Sequence, residues 1–172
     1  EVGNVTTSAG VVPAPIPGVA QRPSQAEIEA LAGGTPRQRL HLGAILCGQH
    51  GYSGVLQHVR NWDWADAVEL VRDIASLLGV KLHVANAERA PWHPGRCAEI
   101  RIVVPTKNPT RPQIGEVIGY AGELHPRIVK KLGLPERACA VELDLDALIE
   151  RSSSQPVVKA QPVSTYPAAK ED

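Results

Sequence analysis

The chain has 172 residues, enough for one domain with a real core or for one domain with tails. Its 18 basic and 18 acidic residues cancel, so no bulk field draws it onto nucleic acid or an anionic membrane, and neither DNA nor a membrane is expected as a partner. No apolar run approaches the roughly 20 residues that a bilayer span requires, and no charged-apolar-small signal segment opens the sequence.

Cys47, Cys97 and Cys139 are widely spaced and form no C-x-x-C pair. That usage fits reduced thiols, hence a cytoplasmic location, better than a disulfide framework. Met and Phe are both absent. Without Met, and with residues 1–5 already reading as mid-strand, the sequence is expected to be an internal piece of a longer polypeptide.

In chain order, residues 2–5 read as the end of a strand that runs into a connector rich in small residues, with Pro13, Pro15 and Pro17. Ser24-x-x-Glu27 has the form of a capping box and predicts a short helix over 25–31, ended by Gly33-Gly34. A strand is predicted over 40–46, and 49–61 reads as a loop. The clearest helix spans 64–78. Ala67, Val71, Ile74 and Leu78 form its apolar stripe, widened by Trp64, Val68, Leu70 and Leu77, with Asp63 as N-cap and Gly79 at the C-terminus.

A strand over 80–84 follows, then the ring-rich turn 91–99, which feeds a strand over 100–104. The polar interval 105–112 joins that strand to the next, over 115–120. Pro126 opens a helix through Leu132, and Gly133 ends it. Over 138–143 the alternation sets Cys139, Val141 and Leu143 on one face of a strand, and Asp144 caps a last helix over 145–151. The domain division expected is a strand end and connector over 1–23, a core over 24–151 and a tail over 152–172. The order of elements predicts an α+β domain, an antiparallel sheet flanked by helices.

The turn 91–99 concentrates Trp92, His93, Arg96, Cys97 and Glu99, and most of the conceivable chemistry sits there. His93-x-x-x-Cys97 offers only two zinc ligands where a closed site needs four, so no metal is expected. Cationic neighbours could activate the Cys97 thiol, but a cysteine at the mouth of a strand is more often a small core residue. Arg96 could fork onto a carboxylate or phosphate, and the reading preferred is an internal salt bridge to Glu99 or Glu123. Glu123 and His125 could form an acid/base pair only if both side chains point the same way. Arg127, Lys130 and Lys131 form one modest basic cluster, read as a solvated helix face. Taken alone, the residues describe an α+β domain without catalytic residues. The alternatives kept beside that reading are a hydrolytic domain using Cys97 or Glu123 with His125, and a stand-alone RNA-binding domain.

Three stretches, taken together and in order, resemble the beta subunit of bacterial phenylalanyl-tRNA synthetase: Pro91-Trp92-His93-Pro94-Gly95-Arg96-Cys97-Ala98-Glu99, Ile118-Gly119-Tyr120-Ala121-Gly122-Glu123-Leu124-His125-Pro126, and Val141-Glu142-Leu143-Asp144-Leu145-Asp146-Ala147-Leu148. The opening Glu1-Val2-Gly3-Asn4-Val5 is similar to a strand of the same family, and Tyr166 to Asp172 resembles the lead-in to its anticodon-binding domain. The resemblance implies part of a catalytic-like module with the class II synthetase core but without its catalytic residues. It places ATP, magnesium and phenylalanine on an alpha subunit, within a complex of two alpha and two beta chains that handles tRNA(Phe) as a whole. Trp92, His93, Arg96, Glu99, Glu123 and His125 are then candidates for structural or subunit contacts.

Overall fold

The computed structural model describes residues 1–7, 16, 18–51, 54–55, 59–106 and 112–155. The interval 105–112 is described only at its ends, and the tail from 156 onward lies outside the described residues. Strands β1 (Val2–Thr6), β2 (Gln38–Leu46), β5 (Leu82–Asn86), β6 (Trp92–Val104), β7 (Gln113–Leu124) and β8 (Cys139–Asp144) form one sheet in the order β1-β2-β8-β7-β6-β5. Every ladder between neighbours is antiparallel. Helices α1 (Gln25–Gly33), α2 (Trp64–Leu77), α3 (Pro126–Leu132) and α4 (Leu145–Ser153) accompany it, so the α+β class read from the sequence is the class observed.

Helix α2 forms because its N-terminus is fully capped. Asp63 accepts from the Ala65 and Asp66 amides, and Asp66 accepts in return from the Asp63 amide at 2.9 Å. Arg60 forks onto Asp66 at 2.5 and 2.6 Å, and this charge-assisted pair holds the Asp66 carboxyl down at about 2, from an ordinary 3.8. The buried stripe is Ala67, Val68, Val71 and Ala75. Trp64 and Leu77, expected on that stripe, are 46% and 88% exposed. Ala67, expected on the stripe, is buried as read, and Ala75, which the periodicity did not single out, takes the place given to the larger Leu77.

That stripe packs on Ile100, Ala121, Val141, Leu143 and Leu148 in the main core. Each fully buried aliphatic side chain contributes on the order of 1.5–3 kcal/mol. Along β8 the alternation holds, with Cys139, Val141 and Leu143 buried toward the main core and Glu142 exposed. Asp144 caps α4 by accepting from the Ala147 amide at 3.0 Å. Helix α1 forms through its capping box alone and buries no residue.

Four boundaries differ from the sequence reading. Strand β5 starts at Leu82, because the Val80 amide donates to the Ala75 carbonyl at 2.8 Å and closes the end of α2. Residues 49–61 contain a two-stranded ribbon, β3 (Gln49–His50) and β4 (Arg60–Asn61), too short to show any period, with His50 edge-on to Trp62 at 4.0 Å. The turn 91–99 is not separate from the strand after it: β6 runs from Trp92, and its register jumps from Trp92 opposite Leu124 to Cys97 opposite Gly122, so residues 93–96 bulge from the ladder. Strand β7 runs from Gln113 to Leu124, past the expected end at 120 and through Gly119 and Gly122.

Those glycines are steric necessities. A Cβ on Gly119 would collide with the Glu142 carbonyl of β8, and one on Gly122 (φ 153°) with the Arg96 carbonyl of β6. Gly119→Ala is expected to destabilise the fold by at least about 2 kcal/mol, whereas Gly43→Ala, with open space around it, should leave the urea midpoint unchanged or slightly raised. Equal midpoints for the two variants would contradict the close approach. The Asp66 carboxyl titrates lower in the folded chain than unfolded, so its contribution is present above pH 3.8 and is lost as pH falls toward about 2. Arg60→Ala should therefore lower the urea midpoint above pH 3.8 and flatten its decline between pH 3.8 and about 2, and an unchanged pH profile would refute the pair.

Candidate functional site

The bulge of β6, the end of β7 and the start of α3 meet in a second cluster, where Trp92, Cys97, Leu124, Val129 and Ala138 are buried. Trp92 is the floor of this corner. Its Nε1–H donates to the Ala140 carbonyl at 3.3 Å, and its ring lies against Tyr120 at 5.4 Å. Arg89 covers the other partner of that pair, its guanidinium 4.6 Å from the Tyr120 centroid and its Nη1 donating to the Tyr120 hydroxyl at 3.3 Å. The peptide bond from Ala90 to Pro91 is cis, and the Pro91 carbonyl accepts from the His125 amide at 2.9 Å.

Glu123 is the one charged side chain buried among the described residues, 4% exposed. Arg96 Nη1 donates to both of its carboxylate oxygens, at 2.9 and 2.8 Å, and Arg137 Nη2 stands 3.6 Å from Oε2. The pair spans the joint between the β6 bulge and the end of β7. Burying a carboxylate is tolerable only with such partners. Arg137 holds φ 61°, a left-handed backbone that a side chain rarely adopts, within reach of this carboxylate. Glu99, the other partner considered for Arg96, instead accepts from Arg101 Nε at 2.7 Å.

The remaining reactive types are engaged in structure. The His125 Nδ1 accepts from the Arg127 amide at 3.2 Å and caps α3, so Glu123 and His125 face different partners and form no acid/base couple. His93 stacks on His125 with centroids 6.3 Å apart, and its Nδ1 is shielded from solvent without a hydrogen-bond partner. Burial pushes the Cys97 thiol above its ordinary value; Arg89 partly opposes this and Glu99 adds to it. The activated thiolate considered for this position is therefore not what its surroundings produce. Cys139, opposite Glu123 in the ladder, is pushed up to about 12, first by burial and then by the Glu123 charge. Among the described residues, no group of three or more His, Cys, Asp or Glu converges to hold a metal ion.

Tyr120, Arg89 and Arg137 carry much of this corner and were not singled out in the sequence. Tyr120 could have been found by its strand alternation against Trp92; nothing local signals the conformation of Arg137.

The corner is thus the internal joint of an α+β domain, with its charges and rings turned to packing rather than to a reactant. A family model described as the phenylalanyl tRNA synthetase beta chain CLM domain matches residues 1–145, and the chain belongs to that family. It is 44% identical over 154 residues to the phenylalanine–tRNA ligase beta subunit of Streptomyces avermitilis, covering 90% of this chain and 17% of that protein. To the beta subunit of Cutibacterium acnes it is 40% identical over 173 residues, covering 100% of this chain and 19% of that protein. The beta subunit of Corynebacterium glutamicum is 40% identical over 161 residues. The chain therefore spans less than a fifth of the length of these relatives.

Arg96→Ala leaves Glu123 buried beside a single, more distant cation. It is expected to cost about 2–3 kcal/mol, less than a fully buried pair because Arg96 itself is 44% exposed. Glu123→Gln should cost less, because it leaves no buried charge. A midpoint shift below about 0.5 kcal/mol for Arg96→Ala would show that the pair is not what holds the joint.

Proposed function

We propose that this chain is a non-catalytic structural and assembly part of the beta subunit of a phenylalanine–tRNA ligase, supporting an alpha-subunit active site that attaches phenylalanine to its tRNA. The observation that carries the reading is the fate of the corner's reactive side chains. Glu123 is neutralised by Arg96 and approached by Arg137, Cys97 is held as a thiol, and the His125 Nδ1 is spent on a helix cap. None of these groups is presented to a reactant. A hydrolytic domain built on Cys97, or on Glu123 with His125, would need the opposite arrangement.

On this reading the domain is related to the class II synthetase core, and the antiparallel sheet flanked by helices is compatible with that. ATP and magnesium belong to the alpha subunit, in a cytoplasmic assembly of two alpha and two beta chains that binds tRNA(Phe) as a whole. Trp92, His93, Arg96, Glu99, Glu123 and His125 act by shaping the domain or a subunit contact. No helix of the described residues is long and apolar enough to cross a membrane.

The experiment is ATP–pyrophosphate exchange with phenylalanine. The chain alone is expected to give no exchange, and the chain with alpha subunit is expected to co-elute with it on size exclusion. Exchange by the chain alone would overturn the non-catalytic reading; failure to co-elute would overturn the assembly role.

A further inference from the structure

The sheet ends on β5, which pairs with β6 in an unbroken register, and among the described residues no strand pairs with its other side. The Val103 amide donates to the Lys81 carbonyl at 2.8 Å, and the Ala87 amide donates to the Cys97 carbonyl at 2.9 Å. Residues 81, 83, 85 and 87 therefore turn their backbone groups toward β6, and by the same alternation Leu82, Val84 and Asn86 turn theirs outward. The strand contains neither proline nor Lys, Arg, Asp or Glu, the residues that usually blunt an exposed edge.

A groove follows this edge. Leu82 and Val84 are half-buried against the main core. Between β5 and α2 lie two hollows of about 540 and 600 Å³, joined where both meet Arg72 and Val84, with Val68 and Ala75 of α2 in their walls. The chain itself arrives at one end of the groove. Ser152 Oγ donates to the Leu78 carbonyl at 2.8 Å and Gln155 Nε2 to the Gly79 carbonyl at 3.1 Å, which pins the residues after α4 beside the turn that opens β5. Gln155, Gly79 and Lys81 line a common hollow there.

The sequence beyond Gln155 suits the edge. Pro156 and Pro162 bracket residues 157–161, a run of five, the length of β5. A proline has no N–H for a ladder, so it belongs at the end of a strand and not in its middle. Alternation sets Val158 and Ala160 on one side of this run and Val157, Lys159 and Gln161 on the other.

We propose that residues 157–161 add to the free edge of β5 as a further, parallel strand, with Val158 and Ala160 toward the groove beside α2. The direction follows from the starting point at Gly79, just before β5. An antiparallel strand would first have to travel the length of β5, about 17 Å, and would use up the run before it could pair. With Val157 beside His83, Val157 donates to the Leu82 carbonyl and accepts from the Val84 amide, and Lys159 does the same with Val84 and Asn86. That register continues back to Gln155 beside Lys81, with which it already shares a hollow. The opposite edge, β1, lies five strand spacings away, about 24 Å. A tethered segment also meets β5 at an effective concentration of order millimolar, well above that of a second copy in dilute solution. None of this rests on the ligase reading.

The test is residue-resolved hydrogen exchange by NMR on the 172-residue chain and on two variants. Lys159→Pro removes a donor of the proposed ladder, and Ser164→Pro lies beyond Pro162 and serves as control. The Val84 and Asn86 amides are expected to exchange roughly tenfold or more faster in Lys159→Pro than in the parent or Ser164→Pro. The Val141 amide, on the interior strand β8, should stay protected in all three and so reports an intact core. In the parent chain, nuclear Overhauser contacts should join residues 157–161 to residues 82–86, a readout that needs no variant. Unprotected Val84 and Asn86 amides in the parent, or protection that survives Lys159→Pro, overturns the proposal. Protection that grows with protein concentration alongside a dimeric mass gives the edge to a second copy and refutes the proposal as stated.

Discussion

Everything at the corner depends on one close approach: β7 lies so near β6 and β8 that Gly119 and Gly122 have no room for a side chain. This contact puts Glu123 immediately after the tightest point of the sheet, where its carboxylate is withdrawn from water. A buried carboxylate requires a cation, and the bulge of β6 delivers Arg96 to it. The bulge, the glycines and the ion pair are therefore one constraint expressed three ways. Trp92 closes the same joint on its apolar side, with its indole on Tyr120 and its N–H on β8.

A cluster of Trp, His, Arg, Cys and Glu within nine residues looks like chemistry, and its partners decide otherwise. Arg96, Glu123 and His125 are hydrogen-bonded to neighbours in the fold, Cys97 is buried as a thiol, and His93 stacks on His125. The family to which the chain belongs gives this a functional sense: a domain of a beta subunit whose proposed task is to hold shape and make contacts.

Much of the fold was legible in the sequence because local rules agree with tertiary ones. Ser24-x-x-Glu27 and Asp63 cap the helices they announce, and the alternation of Cys139, Val141 and Leu143 points to the core as read. The failures share a physical cause. Leu77 and Trp64 were placed inside by their size, whereas the sheet selected Ala75. The expected end of β7 at 120 falls short of Leu124, and glycine density signals a close backbone approach without saying that the Glu142 and Arg96 carbonyls are what press. At the site, Arg96 could be matched to Glu123 only as one of two partners. Glu99 is nearer in sequence, but Arg101 takes it, two residues along its own strand. Arg89 and Arg137 were not legible, since their roles exist only once the strands are paired.

The central claim is that the Arg96–Glu123 pair serves structure and not chemistry. A buried ion pair replaced on both sides by apolar groups of similar volume can keep its fold, while a reacting pair cannot keep its reaction. The direct measurement is the aminoacylation turnover of an assembled alpha–beta ligase carrying Arg96→Met together with Glu123→Leu. The account expects kcat and subunit assembly to stay within about twofold of the parent. A fall in kcat of about a hundredfold or more, roughly 2.7 kcal/mol of barrier, with assembly intact would contradict it.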